Sequence, residues 1–149
     1  MSPGGRAALV AAAVVAADQA TKAIVRASIR RGETVDVLPG LDLVNTRNRG
    51  IAFGLLSQGG ALLAVVAGVA LLALLVFFLR HRERRLAWLP TGLLAGGAAG
   101  NLIDRAREGS VTDFIDPIAW PAFNLADTAI TLGVLALVYV LEGPPARGR

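Results

Sequence analysis

A chain of 149 residues is long enough for one domain, and 54% of it is hydrophobic against 17% charged. A body of 15.4 kDa with a mean hydropathy of +0.59 cannot hide that much apolar surface, because small domains have the least interior per unit of surface; the composition argues against a soluble enzyme. The net charge of +4 comes from 15 cations, all but Lys22 being Arg, set in short runs between apolar stretches, which is a membrane pattern and not a nucleic-acid-binding face.

A helix that crosses a bilayer takes about 20 apolar residues, and four such stretches are expected. The first runs over about 7–27 and carries Asp18 and Lys22 on one face at i, i+4. It has the outline of a cleavable signal peptide, but cleavage would discard that pair, and it is read here as a span. An outer loop follows at 28–56. Within it Val35, Val37, Leu41 and Leu43 alternate with Asp36 and Asp42 around Pro39-Gly40, the pattern of two short strands on the membrane surface.

The second span, about 57–79, is free of charge, and the run Arg80 to Arg85 joins it to a third at 86–104. That run is the densest positive cluster, which places it, and with it both termini, in the cytoplasm. Arginines in the opposite loops run against this orientation. In the third span Gly92, Gly96 and Gly100 repeat every four residues and Asp104 continues the row; small residues at that spacing let helices approach closely. Asn101, Asp104 and Arg105 fall within one turn at its outer end, where Asp104 with Arg105 reads first as a structural pair. A second outer loop, 105–122, contains Asp113, which periodicity alone makes a solvated acid, and Asp116-Pro117, which reads as turn chemistry. The fourth span, 123–141, carries Asn124, Asp127, Thr128 and Thr131 as one polar stripe; Asn124 and Asp127 also suit a helix cap. A disordered tail is expected at 142–149. The fold expected is an all-α, four-span membrane bundle with a small β layer in the first outer loop, forming a single domain.

Charges at bilayer depth are costly and are usually paired or functional. Here acids and amides gather at one end of the third and fourth spans. Cysteine is absent and His81 is the single histidine, which removes thiol chemistry and HExxH-type metal sites; no metal or organic cofactor is expected. Ser28 lies off the face of Lys22, and the Arg run puts His81 on the opposite side, so carboxylates remain. Two carboxylates at close range share a proton, one activating water while the other protonates a leaving group. A transporter or proton-conducting subunit would instead spread polar residues through the membrane depth, and a noncatalytic assembly factor would use the glycine row as its binding face.

Five blocks, in order, carry a resemblance to the lipoprotein signal peptidase (signal peptidase II) family: Asp18-Gln19-Ala20-Thr21-Lys22, Asn48-Arg49-Gly50-Ile51-Ala52-Phe53, Gly96 through Arg105, Val111-Thr112-Asp113-Phe114, and Phe123-Asn124-Leu125-Ala126-Asp127. The resemblance covers nearly the whole chain. It implies an aspartic endopeptidase of the bacterial cytoplasmic membrane that removes signal peptides from diacylglyceryl-modified prolipoproteins, cutting just before the lipid-modified cysteine. By the same resemblance Asp113 and Asp127 are catalytic, Asn48 and Arg105 bind the signal peptide, Asn101, Asp104 and Asn124 support them, and Asp18 with Lys22 forms an essential noncatalytic pair. It further implies sensitivity to globomycin, an active site at the outer face and membrane lipid as the surrounding partner. A monomer is expected. The stretch from Phe114 to Phe123 is shorter than the family's usual loop.

Overall fold

The computed structural model describes residues 1–49, 60–81, 83, 84 and 86–142. Four helices, α1 (Pro3–Ser28), α2 (Gly60–His81), α3 (Trp88–Glu108) and α4 (Leu125–Glu142), are accompanied by strands β1 (Thr34–Leu38), β2 (Leu41–Asn48) and β3 (Val111–Pro117). Helices α1, α3 and α4 each begin or end on a chemical signal. Ser2 caps α1, its Oγ accepting from the Gly5 amide at 3.1 Å, with Pro3 in the first turn where its missing N–H costs nothing. Gly109 ends α3 in the left-handed conformation, φ 66°. No basic residue lies in the last turn of α4; instead the Arg84 guanidinium, from the α2–α3 connection, donates to the carbonyls of Val140 and Leu141 at 2.9 and 3.2 Å. Arg6 of α1 lies over the Trp88 ring at 5.9 Å. The start of α1, the α2–α3 connection and the end of α4 therefore share one end of the bundle.

Helix α3 is central and packs against the other three. Its glycine row does what the spacing implies: a Cβ on Gly92 would sit 2.6 Å from Val10 Cβ, and one on Gly96 would sit 2.8 Å from the Ala11 carbonyl oxygen, so α1 and α3 meet almost backbone to backbone. The neighbouring Gly97 opens the same approach to α4, where a Cβ would sit 2.5 Å from the Ala126 carbonyl oxygen. The outward faces stay apolar: Leu9 and Ile24 of α1, Leu72 and Leu79 of α2, and Leu135 and Tyr139 of α4 are all exposed. Exposed apolar residues in such numbers mark a lipid-facing surface. Among the described residues two helices, α1 and α4, are long and apolar enough to cross a membrane.

The strands form one antiparallel sheet in the order β1-β2-β3 at the other end of the bundle. The hairpin appears where alternation put it, turning at Gly40 with φ 84°. Strand β3 corrects the reading of 105–122 as loop. Helix α3 continues to Glu108, and Asp113 is not a solvated acid but a strand residue only 2% exposed. Asp116 pairs with Asp42 in the ladder and does not turn the chain. The alternation that betrays a half-buried strand is missing because residues 111–114 are buried on both faces; Phe114 packs on Val25 of α1 and on Ile29 just past its end. Helix α4 runs through Glu142, one residue into the expected tail. Residues 143–149, Gly50 to Phe53 of the second sequence block, and the start of the second expected span at 57–59 lie outside the described residues.

Candidate active site

Two buried polar clusters lie side by side at the sheet end of the bundle. The first joins α1 to α3. Lys22, with no exposed surface, contacts Asp18 at 2.9 Å and Asp104 at 3.1 Å, and donates to Asn101 Oδ1 at 3.0 Å. Asp18 Oδ1 accepts from the Ala126 backbone N–H at 3.0 Å, so a side chain of α1 satisfies one of the free amides at the start of α4. Asp104 Oδ2 accepts from the Thr112 amide at 3.1 Å. The expected Asp18–Lys22 pair is present, but the Asp104–Arg105 pairing is overturned: Asp104 turns to Lys22, and the Arg105 guanidinium reaches back to the Asn101 carbonyl at 3.4 Å. Burial explains the choice, because a fully desolvated Lys22 requires the full complement of acceptors.

The second cluster holds the acids from β3 and α4. Asn124 precedes α4 and caps it reciprocally: its Oδ1 accepts from the Asp127 amide at 3.0 Å, while Asp127 Oδ2 accepts from the Asn124 amide at 3.3 Å, a capping box with Asp in place of Glu. The Asn124 Nδ2 also donates to Asp113 Oδ1 at 2.7 Å. One asparagine thus contacts both carboxylates. The remaining oxygens are held by two further amides, Asn48 Nδ2 to Asp113 Oδ2 at 2.9 Å and Asn101 Nδ2 to Asp127 Oδ1 at 2.8 Å. The strands place Asn48 by register: it pairs with Val111, one step diagonal from Asp113 on the same sheet face.

Asp113 is held in this cage by a short return of the chain. Phe114 and Ile115 both donate to the Phe123 carbonyl, at 3.0 and 2.9 Å, and Phe123 donates back to Ile115 at 2.9 Å. The chain beyond β3 folds back at Phe123 and brings Asn124 beside Asp113. Burial pushes the Asp113 carboxyl up to about 6, the nearby Asp127 charge adds to the rise, and the amides of Asn48 and Asn124 oppose it.

Both carboxylates open onto a cavity of about 270 Å³, shared with Asn48, Asn101, Arg105 and Trp120. Such a space is large enough to hold water beside the two carboxylates. Of the nine residues singled out in the sequence, six (Asp113, Asp127, Asn48, Asn101, Arg105 and Asn124) meet at this cavity or in its hydrogen-bond cage. Asp18, Lys22 and Asp104 stand one layer behind, joined to it through Asn101 and the Thr112 amide. Among the described residues no group of acids and histidine is placed to hold a metal ion.

Three groups escaped the residue-level reading. Gln19 Nε2 contacts Asp104 Oδ1 at 2.9 Å and both Asp18 Oδ2 and the Gly100 carbonyl at 3.2 Å; its place between Asp18 and Lys22 was the available signal. Thr112 is fully buried. Arg26 and Arg47 converge on Thr112 and on Glu108, and nothing in the local pattern foretells partners more than 60 residues away.

The model of a family described as signal peptidase (SPase) II matches residues 10–141. A protein named lipoprotein signal peptidase from Pelotomaculum thermopropionicum is 42% identical over 135 residues, 89% of each chain. One of the same name from Syntrophomonas wolfei is 45% identical over 130 residues, covering 86% of this chain and 87% of its own. Among solved structures, a bacterial membrane enzyme determined by the in meso method at 2.3 Å superposes with a TM-score of 0.85 at 36% identity, over 92% of this chain and 87% of the other.

Proposed function

This chain belongs to the signal peptidase II family, and on that premise we propose that it is an aspartic endopeptidase that removes signal peptides from prolipoproteins. The observation that carries the chemistry is the pair of carboxylates, buried Asp113 and half-buried Asp127, bonded to one Asn124 and opening on one cavity. Acids so placed cannot both ionise cheaply and share a proton over the working pH range. The ionised member draws a proton from a water molecule that attacks the scissile carbonyl; the protonated member delivers its proton to the departing nitrogen. The amides of Asn48, Asn101 and Asn124 hold the oxygens without adding a cation that would fix both acids in the charged form.

The chain crosses the membrane four times in this proposal, with α2 and α3 as the further spans, both termini cytoplasmic and the sheet at the outer face. The exposed apolar faces and the common end shared by the termini and the α2–α3 connection support it. The substrate is a signal helix bearing a diacylglyceryl cysteine. It enters sideways from lipid, its acyl chains stay in the bilayer, and the cut falls just before that cysteine because the anchor fixes the depth of the scissile bond. Arg105 and Asn48, both at the cavity wall, contact the backbone of the peptide. Asp113, Asp127 and the three asparagines that hold them lie in one chain, which suits a monomer.

Cleavage of a lipidated signal peptide by the purified chain tests the proposal. Asp113→Asn and Asp127→Asn each lower kcat by about 10³-fold or more while the protein stays folded and inserted. Retention of cleavage by both variants contradicts it, and ion flux through proteoliposomes without cleavage supports the transporter class.

A further inference from the structure

We propose that the Thr112 hydroxyl is a positioning group for Asp113, held from behind by a latch of Arg26, Arg47 and Glu108 that joins α1, β2 and α3 around β3. The inference rests on the aspartic reading of the site. Its ground is the division of the β2–β3 sheet into two faces. Asn48 and Asp113 point to the cavity, whereas Arg47 and Thr112, directly paired in the ladder, project on the reverse side. There the Arg26 and Arg47 guanidiniums both donate to Thr112 Oγ1, at 3.1 and 3.0 Å. The same two guanidiniums pair with Glu108, Arg26 at 3.1 Å. The Thr112 amide is bound to Asp104.

Thr112 is therefore fixed at its hydroxyl by two charged donors and at its backbone by a buried acid, and it is fully buried. Charge-assisted bonds are the strong kind, and the residue so fixed is covalently next to Asp113. A small rotation of β3 would carry the Asp113 carboxyl out of the reach of Asn124, and misplacement by about 1 Å can cost 10²-fold in rate. A valine has the shape of threonine but no acceptor, and it would leave two guanidinium donors facing a methyl group. Serine keeps the oxygen.

The charged groups around Asp113 are Asp127 of α4, Lys22 of α1, and Asp104 and Arg105 of α3; from β2 it meets Asn48, with Arg47 behind the strand. None of these is altered by a change at Thr112, so a shift in the titration of the site would report movement of β3 and entry of water, not a changed charge.

The test is steady-state cleavage of a lipidated signal peptide by the full chain in detergent micelles, across pH. Thr112→Val is expected to lower kcat about 10- to 100-fold with KM within about twofold of the parent, and to move the alkaline limb of the pH–rate profile to lower pH as water reaches Asp113. Thr112→Ser is expected to restore both. Equal losses in the Val and Ser variants, an effect confined to KM, or an unmoved limb with normal kcat each overturn the proposal. Should Thr112→Val fail to fold, Glu108→Gln, at an exposed position, decides: a fall in kcat with the same shift supports the latch, and unchanged kinetics refute it. Asp113→Asn, run alongside, separates the two levels, because its full activity would refute the aspartic reading itself.

Discussion

The two buried clusters are close neighbours and share Asn101, yet they handle charge in opposite ways. Behind the cavity, Asp18 and Asp104 flank Lys22, and each charge meets an opposite charge at about hydrogen-bond distance. At the cavity, Asp113 and Asp127 are hydrogen-bonded among the described residues by amides: Asn48, Asn101, Asn124 and a backbone N–H. A cation in contact locks a carboxylate in one state and ties helices together. Amide donors orient the oxygens and leave the proton free to move. The fold thus uses fixed charge for architecture and keeps the unfixed charge where water and a peptide can reach it.

Removing the cation is the harshest way to break this contrast. Lys22→Met strands two buried carboxylates, and a loss of about 3–5 kcal/mol is expected, read as collapse of thermal stability and of cleavage together in detergent. Asp113→Asn should separate the two properties. The folded-state value of Asp113 lies above its ordinary 3.8, at about 6, so ionisation opposes folding as pH rises through that window. The stability of Asp113→Asn relative to the parent should therefore climb between about pH 4 and pH 6 and stay level above, in thermal unfolding scans. A flat difference would show that the carboxyl is not desolvated.

Asn48→Ala is the mildest change. Its amide opposes the rise at Asp113, so its loss should push the alkaline limb of the pH–rate profile upward, with kcat reduced about tenfold or less. A limb displaced downward would mean that solvent, entering where Asn48 stood, outweighs the lost donor.

Much of this architecture was written locally. Apolar runs marked the helices to within a few residues at the boundaries the structure describes, the four-residue glycine row foretold the close approach of α1 and α3, and the alternation around Pro39-Gly40 marked the hairpin. Asn124 and Asp127 suit a cap by their spacing, and in the structure they cap α4 while Asp127 also opens on the cavity. Strand β3 was not legible, since burial on two faces erases alternation. Nor was the partner of Asp104: Lys22 lies far away in sequence and Arg105 lies next door, and only the packing of α1 on α3 decides between them. The latch at Thr112 is of the same kind, assembled from three elements with no shared local motif. The motif blocks carried the site because they list residues that meet in space, which periodicity along one helix cannot do.

The coupling of the two acids is the point on which the rest depends, and the carboxyl titration of Asp113, followed by carbon NMR of a selectively labelled chain in micelles, tests it most directly. In the parent protein Asp113 should titrate near 6, and in Asp127→Asn it should fall while remaining above the ordinary carboxyl range, because burial persists when the neighbouring charge is gone. An Asp113 that titrates near 4 in the parent, or that is indifferent to Asp127, would contradict a shared proton.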